Sequence, residues 1–171
     1  GEDIITKGFE WNKTWVDYVP FRSNIKRVPV QPVVAIIEHS TAGSSLYGAL
    51  NTGRGDKIPG THFYINKLGQ IFQAVPLSER TSHINNTTHR TNRLDVNTSN
   101  SIGIENVRMW YNGKGWDELT PEQEKANIKL VTTLMVAYNI PKNNVLAHEN
   151  IQHKTAGEGK EILDKIDKYL V

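Results

Sequence analysis

Residues 33–38 form an apolar run that ends at Glu38, and His39 follows it directly. An apolar run of this length without regular polar alternation is typical of a strand covered on both faces. The pattern therefore predicts a buried strand that carries a histidine at its end. The small residues that follow, at 41–50, are compatible with a short helix, and residues 51–60 with a loop.

Two shorter β-type segments follow at 61–66 and 70–75, separated by a turn that contains Gly69. This spacing predicts a β-hairpin. A further strand is predicted at 101–107. It comes after a stretch rich in Asn and Thr, at about 85–100, that we expect to form a surface loop.

The longest helix is predicted to begin after Thr120. Thr120 suits the N-cap position, Pro121 the first helical position and Gln123 the third, which together predict a capping box. Apolar residues then recur at helical spacing up to a stop signal at 139–141. The sequence therefore predicts an amphipathic helix of about five turns.

A short strand predicted at 144–147 leads to His148, and a second amphipathic helix is predicted at 161–170. This mixed order predicts an α/β fold, a single domain with a central mixed β-sheet flanked by α-helices. The length of 171 residues fits one domain. We expect the aromatic, proline-broken residues 1–30 to form an N-terminal extension packed on the domain at 31–171.

Composition and charge exclude several classes of partner and site. The chain has 20 Lys and Arg against 18 Asp and Glu, and its basic residues are scattered, so we expect no nucleic-acid partner. It has no cysteine, which excludes disulfides, thiolate metal ligands and a cysteine nucleophile. No apolar run approaches the roughly 20 residues that a membrane span needs.

Two histidines carry the candidate chemistry, since His39 and His148 each follow a predicted buried strand. Such a pair indicates a metal site, an acid–base pair or two hydrogen-bonded structural histidines. A catalytic zinc site usually has three protein ligands. His153 or Glu158 could supply the third, because the glycines on either side of Glu158 would let that carboxylate fold back toward the strand end.

Five short motifs, in order along the chain, resemble the zinc-dependent N-acetylmuramoyl-L-alanine amidases. This family also includes phage lysozyme-type amidases and peptidoglycan recognition proteins. The similarity covers about residues 30–165. Its motifs are Ile36-Ile37-Glu38-His39-Ser40, Thr61-His62-Phe63-Tyr64-Ile65 with Gly69-Gln70-Ile71, Glu79-Arg80 leading to Ser82-His83, Ser101-Ile102-Gly103-Ile104-Glu105, and His148 with the Lys154-Thr155 tail.

The resemblance implies a function for the domain at 31–171, which would be the amidase catalytic domain. It would hydrolyse the amide bond between N-acetylmuramic acid and L-alanine, in peptidoglycan or in muropeptides. The implied fold is a mixed sheet flanked by helices, which agrees with the pattern of strands and helices described above.

The resemblance also implies roles for individual residues. His39 and His148 match the two histidine ligands of Zn²⁺, and Glu105 matches an acid that serves as general base in some members. Lys154 would help to hold the oxyanion. Glu158, ten residues after His148, has the spacing of a third ligand, and His153 is the alternative.

The chain departs from the family pattern at Ala156. Members normally carry Asp or Cys as a ligand two residues after the catalytic lysine, and Ala156, two residues after Lys154, cannot bind zinc. We therefore take Glu158 as the ligand, with Lys154 shifted in register. The same departure favours an alternative function, a non-catalytic peptidoglycan-binding recognition module, whereas Glu105 favours the enzyme.

His62 and His83 match family positions near the substrate, and Thr61 stands where the family often has a Tyr near the oxyanion. We expect these three to be substrate-binding or structural residues rather than ligands. The resemblance further implies a peptidoglycan or muropeptide substrate, a monomer, and action outside the cytoplasm by a bacterial or phage-encoded protein. Because the chain begins with Gly1 rather than Met, we expect any export signal to have been removed.

Overall fold

The computed structural model describes residues 15–19, 31–43 and 60–170. Within these residues, seven strands form one mixed sheet, and the chain also forms two α-helices. The strands are β1 (Val16–Tyr18), β2 (Ala35–Ala42), β3 (Phe63–Ile65), β4 (Ile71–Gln73), β5 (Ser101–Tyr111), β6 (Gly115–Trp116) and β7 (Val145–Ala147). The helices are α1 (Pro121–Tyr138) and α2 (Lys160–Ile166), with 3-10 turns at Lys142–Asn144, His148–Asn150 and Asp167–Tyr169.

The sheet has the strand order β1-β4-β3-β5-β2-β7, and β6 pairs with the end of β5. Strand β2 lies between β5 and β7 and is parallel to both. Strand β3 is parallel to β5 and antiparallel to β4. Because the carboxyl ends of parallel strands meet at one edge of a sheet, residues at the ends of β2, β5 and β7 are brought together there.

Both faces of β2 are covered, which explains its continuous apolar run. Ile36 packs in the main core with α1 and α2, whereas Ile37 packs on the opposite face with Ile84, Val96 and Ile151. In the described part of the chain, loop residues cover that second face. The expected fold, a single α/β domain with a central mixed sheet flanked by helices, is confirmed.

A buried polar chain joins β2 to β5 and α1 beside the sheet edge. Asn106 Nδ2 donates to Glu38 Oε1 (3.0 Å) and to the carbonyl of His39 (3.1 Å), and Asn127 Nδ2 donates to Asn106 Oδ1 (2.7 Å). Burial raises the pKa of Glu38 to about 8, although the hydrogen bond from Asn106 lowers it, so its carboxyl is mainly protonated at neutral pH. These contacts fix the position of β2 where it carries His39.

Helix α1 begins and ends as predicted. Thr120 Oγ1 accepts a hydrogen bond from the backbone N–H of Gln123 (3.0 Å), and Gln123 Oε1 accepts one from the N–H of Thr120 (3.1 Å). Asn139, in the left-handed conformation with φ 54°, ends the helix. The capping box is therefore confirmed. None of the helices in the described residues has the length and apolar character needed to cross a membrane.

Several boundaries differ from the predicted ones. Strands β2 and β5 run beyond residues 38 and 107, because their pairing continues past a β-bulge to Ala42 and Met109. At the other end of the chain, α2 stops at Ile166 and a 3-10 turn follows, so the helix predicted at 161–170 is shorter than expected.

Two strands were not predicted. Strand β1 lies in the N-terminal extension and pairs with β4, with Trp15 packed against the main core, and β6 is only two residues long. The rest of the extension, at 1–14 and 20–30, lies outside the described residues. So does most of the possible helix at 41–50, from residue 44 onward.

Candidate active site

His39, His148 and Glu158 meet where β7 ends, beside the second half of β2. His39 lies in β2, His148 directly follows β7, and Glu158 lies in the loop before α2. The Nδ1 atoms of the two histidines are 2.9 Å apart, and His148 Nδ1 is 3.2 Å from Glu158 Oε2. One possible ligand atom from each of the three residues lies within 4.8 Å of the others, whereas His153 is exposed and is not in this group.

The proton position on His148 follows from its neighbour Gln152. Gln152 Nε2 donates to the carbonyls of Asn85 (2.9 Å) and Thr88 (3.0 Å), which fixes the orientation of the amide. Gln152 Oε1, 2.6 Å from His148 Nε2, is therefore an acceptor. His148 Nε2 carries the ring proton, and Nδ1 presents a lone pair toward His39 and Glu158.

The proton position on His39 follows from a longer chain of hydrogen bonds. Ser101 Oγ donates to the carbonyl of Asn97 (2.6 Å), so it can only accept from His83 Nε2 (2.9 Å). His83 Nδ1 then has no proton and accepts from His39 Nε2 (2.9 Å). As a result, the Nδ1 atom of His39 also presents a lone pair to the same point.

These groups suit a metal cation. Burial lowers the pKa of His39, and the nearby His148, His83 and Lys154 lower it further, so its ring is neutral. Glu158 Oε2 is buried and has no hydrogen-bond partner among the residues that the structure describes. Two imidazole lone pairs and an unpartnered carboxylate oxygen at one point are unfavourable without a cation, and this donor set is one that Zn²⁺ accepts.

Glu105 lies next to this group in the sheet. It is the register partner of His39 in the pairing of β2 with β5, and a minor part of it is exposed to solvent. Burial raises the pKa of Glu105 to about 8; the negative charge of Glu158 adds to the shift, and Lys154 opposes it. A carboxyl with a pKa near neutrality can both accept and give up a proton in the working pH range.

Lys154 lies on the exposed segment between His148 and Glu158. Its positive charge lowers the pKa of both His39 and Glu105. Ala156, at the position where the sequence departs from the family pattern, is exposed, and its carbonyl accepts a hydrogen bond from Trp116 Nε1 (2.9 Å).

The family model described as "N-acetylmuramoyl-L-alanine amidase" matches residues 29–160. This range covers most of the chain, and it includes β2, β5, β7 and all three residues of the convergent group. The chain belongs to the N-acetylmuramoyl-L-alanine amidase family. The resemblance predicted from the five motifs is therefore confirmed.

Solved amidase structures share the fold. The N-acetylmuramoyl-L-alanine amidase LysC from Clostridium intestinale has a TM-score of 0.61 at 21% identity, covering 89% of this chain and 97% of LysC. A selenomethionine derivative of AmpD has a TM-score of 0.64 at 16% identity, covering 94% of this chain and 97% of AmpD. AmiD from E. coli, in complex with anhydro-N-acetylmuramic acid-L-Ala-D-gamma-Glu-L-Lys, has a TM-score of 0.60 at 22% identity, covering 78% of this chain and 56% of AmiD.

No curated protein sequence matches this amidase family member. These solved structures are distant in sequence, so they establish only the fold of the chain. The roles of individual residues are argued from the geometry of this chain.

The structure places Thr61, His62 and His83 in the interior of this amidase. All three are buried, and their polar groups bond within the fold rather than facing a groove. Thr61 Oγ1 donates to the carbonyl of Phe63 (3.1 Å), and His62 Nε2 donates to the carbonyl of Glu79 (2.8 Å). His83 uses both ring nitrogens in the chain that orients His39. Of the two roles expected for these residues, their positions favour the structural one over substrate binding.

Sequence reasoning missed the residues that orient the two histidines. Gln152 lies four residues after His148, a spacing that one turn of helical backbone brings together, so a search for polar partners at that distance could have found it. Ser101 acts on His39 only through His83, which is 44 residues from His39 in the chain. No local pattern in the sequence indicates that link.

Proposed function

We propose that this protein is a zinc-dependent amidase that hydrolyses the bond between N-acetylmuramic acid and L-alanine in peptidoglycan or muropeptides. The observation that carries the proposal is the convergence of two imidazole lone pairs, from His39 and His148, with the unpartnered carboxylate of Glu158. Membership of the amidase family supports the proposal that this particular amide bond is the one hydrolysed. The muropeptide bound to the distant relative AmiD supports the class of substrate.

His39, His148 and Glu158 would hold the Zn²⁺ ion in this proposal. A zinc ion bound there supplies Lewis-acid polarisation of the scissile carbonyl and lowers the pKa of a nearby water. Gln152 and His83 keep both histidines in the tautomer that this requires, because each accepts the Nε2 proton of one ligand.

Glu105 acts as the general base, and Lys154 stabilises the developing negative charge. The Glu105 carboxylate takes a proton from the attacking water as its oxygen bonds to the carbonyl carbon. The same carboxyl then gives the proton to the leaving amine as the carbon–nitrogen bond breaks. The products are the free lactyl carboxylate of muramic acid and a peptide that begins with L-alanine. The Lys154 ammonium balances the charge on the carbonyl oxygen.

The proposed substrate also indicates the compartment in which the protein acts. Peptidoglycan lies outside the bacterial cytoplasm, so we propose that the protein acts there, as a monomer, on intact wall or on soluble muropeptides. A bacterial and a phage-encoded origin both suit this activity.

The deciding experiment is mass spectrometry of peptidoglycan fragments after incubation with the protein, with a chelator and with zinc added back. Release of stem peptides that begin with L-alanine, lost with chelator and restored by zinc, is the expected result. Intact fragments under all conditions, from protein that still binds peptidoglycan, would instead mean a non-catalytic recognition module.

Two matched variants test which residue is the third ligand. Glu158→Ala is expected to abolish zinc binding and hydrolysis, because it removes the unpartnered carboxylate. His153→Ala is expected to leave both unchanged, because His153 is exposed and lies outside the convergent group. Zinc content after dialysis distinguishes the two. Loss of zinc from the His153 variant alone would assign the ligand to His153.

A further inference from the structure

The backbone that carries Glu158 is held on one side by the carboxylate of Glu149. Glu149 Oε2 accepts a hydrogen bond from the N–H of Gly157 (2.6 Å), and Oε1 accepts from the N–H groups of Gly159 (2.7 Å) and Lys160 (3.1 Å). A single carboxylate thus binds three backbone donors on either side of Glu158. Hydrogen bonds to a charged acceptor are stronger than those between neutral groups.

The same backbone is held on its other side by Arg108. This side chain is 1% exposed, and its Nη1 donates to the carbonyl of Gly157 (3.3 Å) and to Ser40 Oγ (3.0 Å). Ser40 Oγ in turn donates to the carbonyl of Glu158 (2.5 Å). Arg108 Nη2 is paired with Glu161, so the buried guanidinium has a counter-charge.

The loop also lies tightly against the sheet. Gly157 has φ +91°, which few other residues adopt, and a side chain at Gly159 would collide with the carbonyl of Glu38. The two glycines therefore allow a close approach that the contacts from Glu149 and Arg108 then hold in place. Without those contacts, the glycines would leave Glu158 on a segment with high backbone freedom.

We propose that Glu149 and Arg108 are positioning residues that hold the loop at 157–160 so that the Glu158 carboxylate faces His39 and His148. Glu149 holds the N–H groups of the loop and Arg108 holds its carbonyl groups, the latter partly through Ser40. The inference rests on the proposed function, since it assumes that Glu158 is a metal ligand.

Glu149 also links two ligands to each other. It follows His148 directly, in the 3-10 turn at His148–Asn150 that begins at the end of β7. One short turn therefore supplies a metal ligand and the acceptor that positions another ligand.

The test measures zinc affinity by competition with a chromogenic chelator, in the wild type and in Glu149→Gln. An amide has no negative charge, and its NH₂ group would face backbone donors, so the loop would lose its fixed position. We expect zinc affinity to fall about 10- to 100-fold, the size typical of outer-shell changes at metal sites. We also expect kcat to recover to within a few-fold of the wild type at saturating zinc.

Glu118→Gln is the matched control, because Glu118 is an exposed glutamate with a side chain 85% exposed. Its zinc affinity should equal that of the wild type. Arg108→Lys is the second variant, since a lysine keeps the positive charge but has one nitrogen in place of the three that bond Asp117, Glu161 and the pair Ser40 and Gly157. It should weaken zinc binding in the same direction, and circular dichroism checks that it folds.

The possible outcomes separate this inference from the proposed function. Unchanged zinc affinity in a folded Glu149→Gln variant, or activity that saturating zinc does not recover, would overturn the positioning role and leave the zinc site intact. A wild-type protein that binds no zinc would overturn both. Weaker zinc binding in Glu149→Gln with recovery at high zinc supports the inference.

Discussion

His39 of β2 lies directly beside Glu105 of β5, as register partners in two parallel strands. The proposed metal ligand and the proposed base therefore sit on the rigid centre of the sheet, while Glu158 and Lys154 come from the loop that follows β7. The sheet fixes the spacing between ligand and base. The loop adds the groups that complete the site, and it is there that this chain departs from the family pattern at Ala156.

Glu105→Gln tests the proposed base. The amide cannot take a proton from water, so kcat should fall by about 10²- to 10⁴-fold, the usual contribution of general acid–base catalysis. Zinc affinity should stay within a few-fold of the wild type, because Glu105 is outside the convergent group. Hydrolysis of a muropeptide, followed by chromatography, gives kcat, and zinc content gives the control. Full activity in this variant would remove Glu105 from the mechanism.

His83→Leu tests the orientation of His39. Leucine cannot accept the Nε2 proton of His39, so the Nδ1 lone pair is no longer held toward the site, and zinc affinity should fall about 10- to 100-fold. Competition with a chelator measures the change. Ser101→Ala removes the hydroxyl that accepts from His83, one hydrogen bond farther from His39. This variant should lose less zinc affinity than His83→Leu. Equal affinities for the wild type and His83→Leu would contradict the orienting role.

The buried ring of His62 predicts a pH dependence of stability. Burial lowers the pKa of His62 to about 4, from 6.5, although the hydrogen bond to Glu79 raises it. Between those values the unfolded chain binds a proton that the folded chain does not, so stability falls as the pH drops from 6.5 to 4. The difference corresponds to about 3 kcal/mol.

Urea unfolding of the wild type and His62→Gln, at several pH values between 7 and 4, measures this contribution. Glutamine does not titrate in this range, so the variant should lose less stability on acidification. The comparison isolates His62, because the other titrating groups are common to both proteins. Parallel stability curves for the two proteins would show that the His62 ring is not held neutral.

At Gly103, the addition of even one methyl group is expected to lower the stability of the fold. A Cβ at Gly103 would lie 2.8 Å from the His83 ring and 2.9 Å from the Thr61 methyl group, both of which are buried. Gly103→Ala should therefore destabilise the fold by about 1–3 kcal/mol, as overpacking usually does. Gly43→Ala is the matched control, since no atom of the described residues lies within 4 Å of a Cβ there. Thermal unfolding compares the two.

The contribution of the N-cap of helix α1 to stability can be tested at Thr120. Thr120→Ala removes the side-chain oxygen that accepts from Gln123, and it should cost about 1 kcal/mol. Thr120→Ser keeps that oxygen and should stay close to the wild type. Denaturant unfolding measures both. Equal losses in the two variants would point to the threonine methyl group instead of the cap.

Structural features that depend on neighbouring residues in the chain could be predicted from the sequence. The cap at Thr120 and the apolar run before His39 each depend on neighbours within a few residues, and both predictions hold in the structure. The position of Glu158 could be predicted from its spacing to His148. The contacts that hold Glu158 could not, because Arg108 and Glu149 reach it through backbone groups that no sequence pattern displays.

The contacts of buried polar residues could not be predicted from the sequence. The resemblance to the amidase family leaves open whether Thr61, His62 and His83 bind substrate or are structural residues. Their partners are the carbonyls of Phe63 and Glu79 and the hydroxyl of Ser101, which only the folded chain brings within reach. Strands as short as β1 and β6 are defined by pairing rather than by composition, so the sequence gives no clear signal for them.

The separation of His39 and His148 by 109 residues has a consequence for how the protein is made. During synthesis His39 emerges early, but its partner emerges only after β5 and α1 have been added. An ion that needs both histidines cannot be captured by the growing chain until the sheet has closed around β2. Metal uptake would then be a late event in biogenesis, and by mass action it would stabilise only chains that have reached the native state.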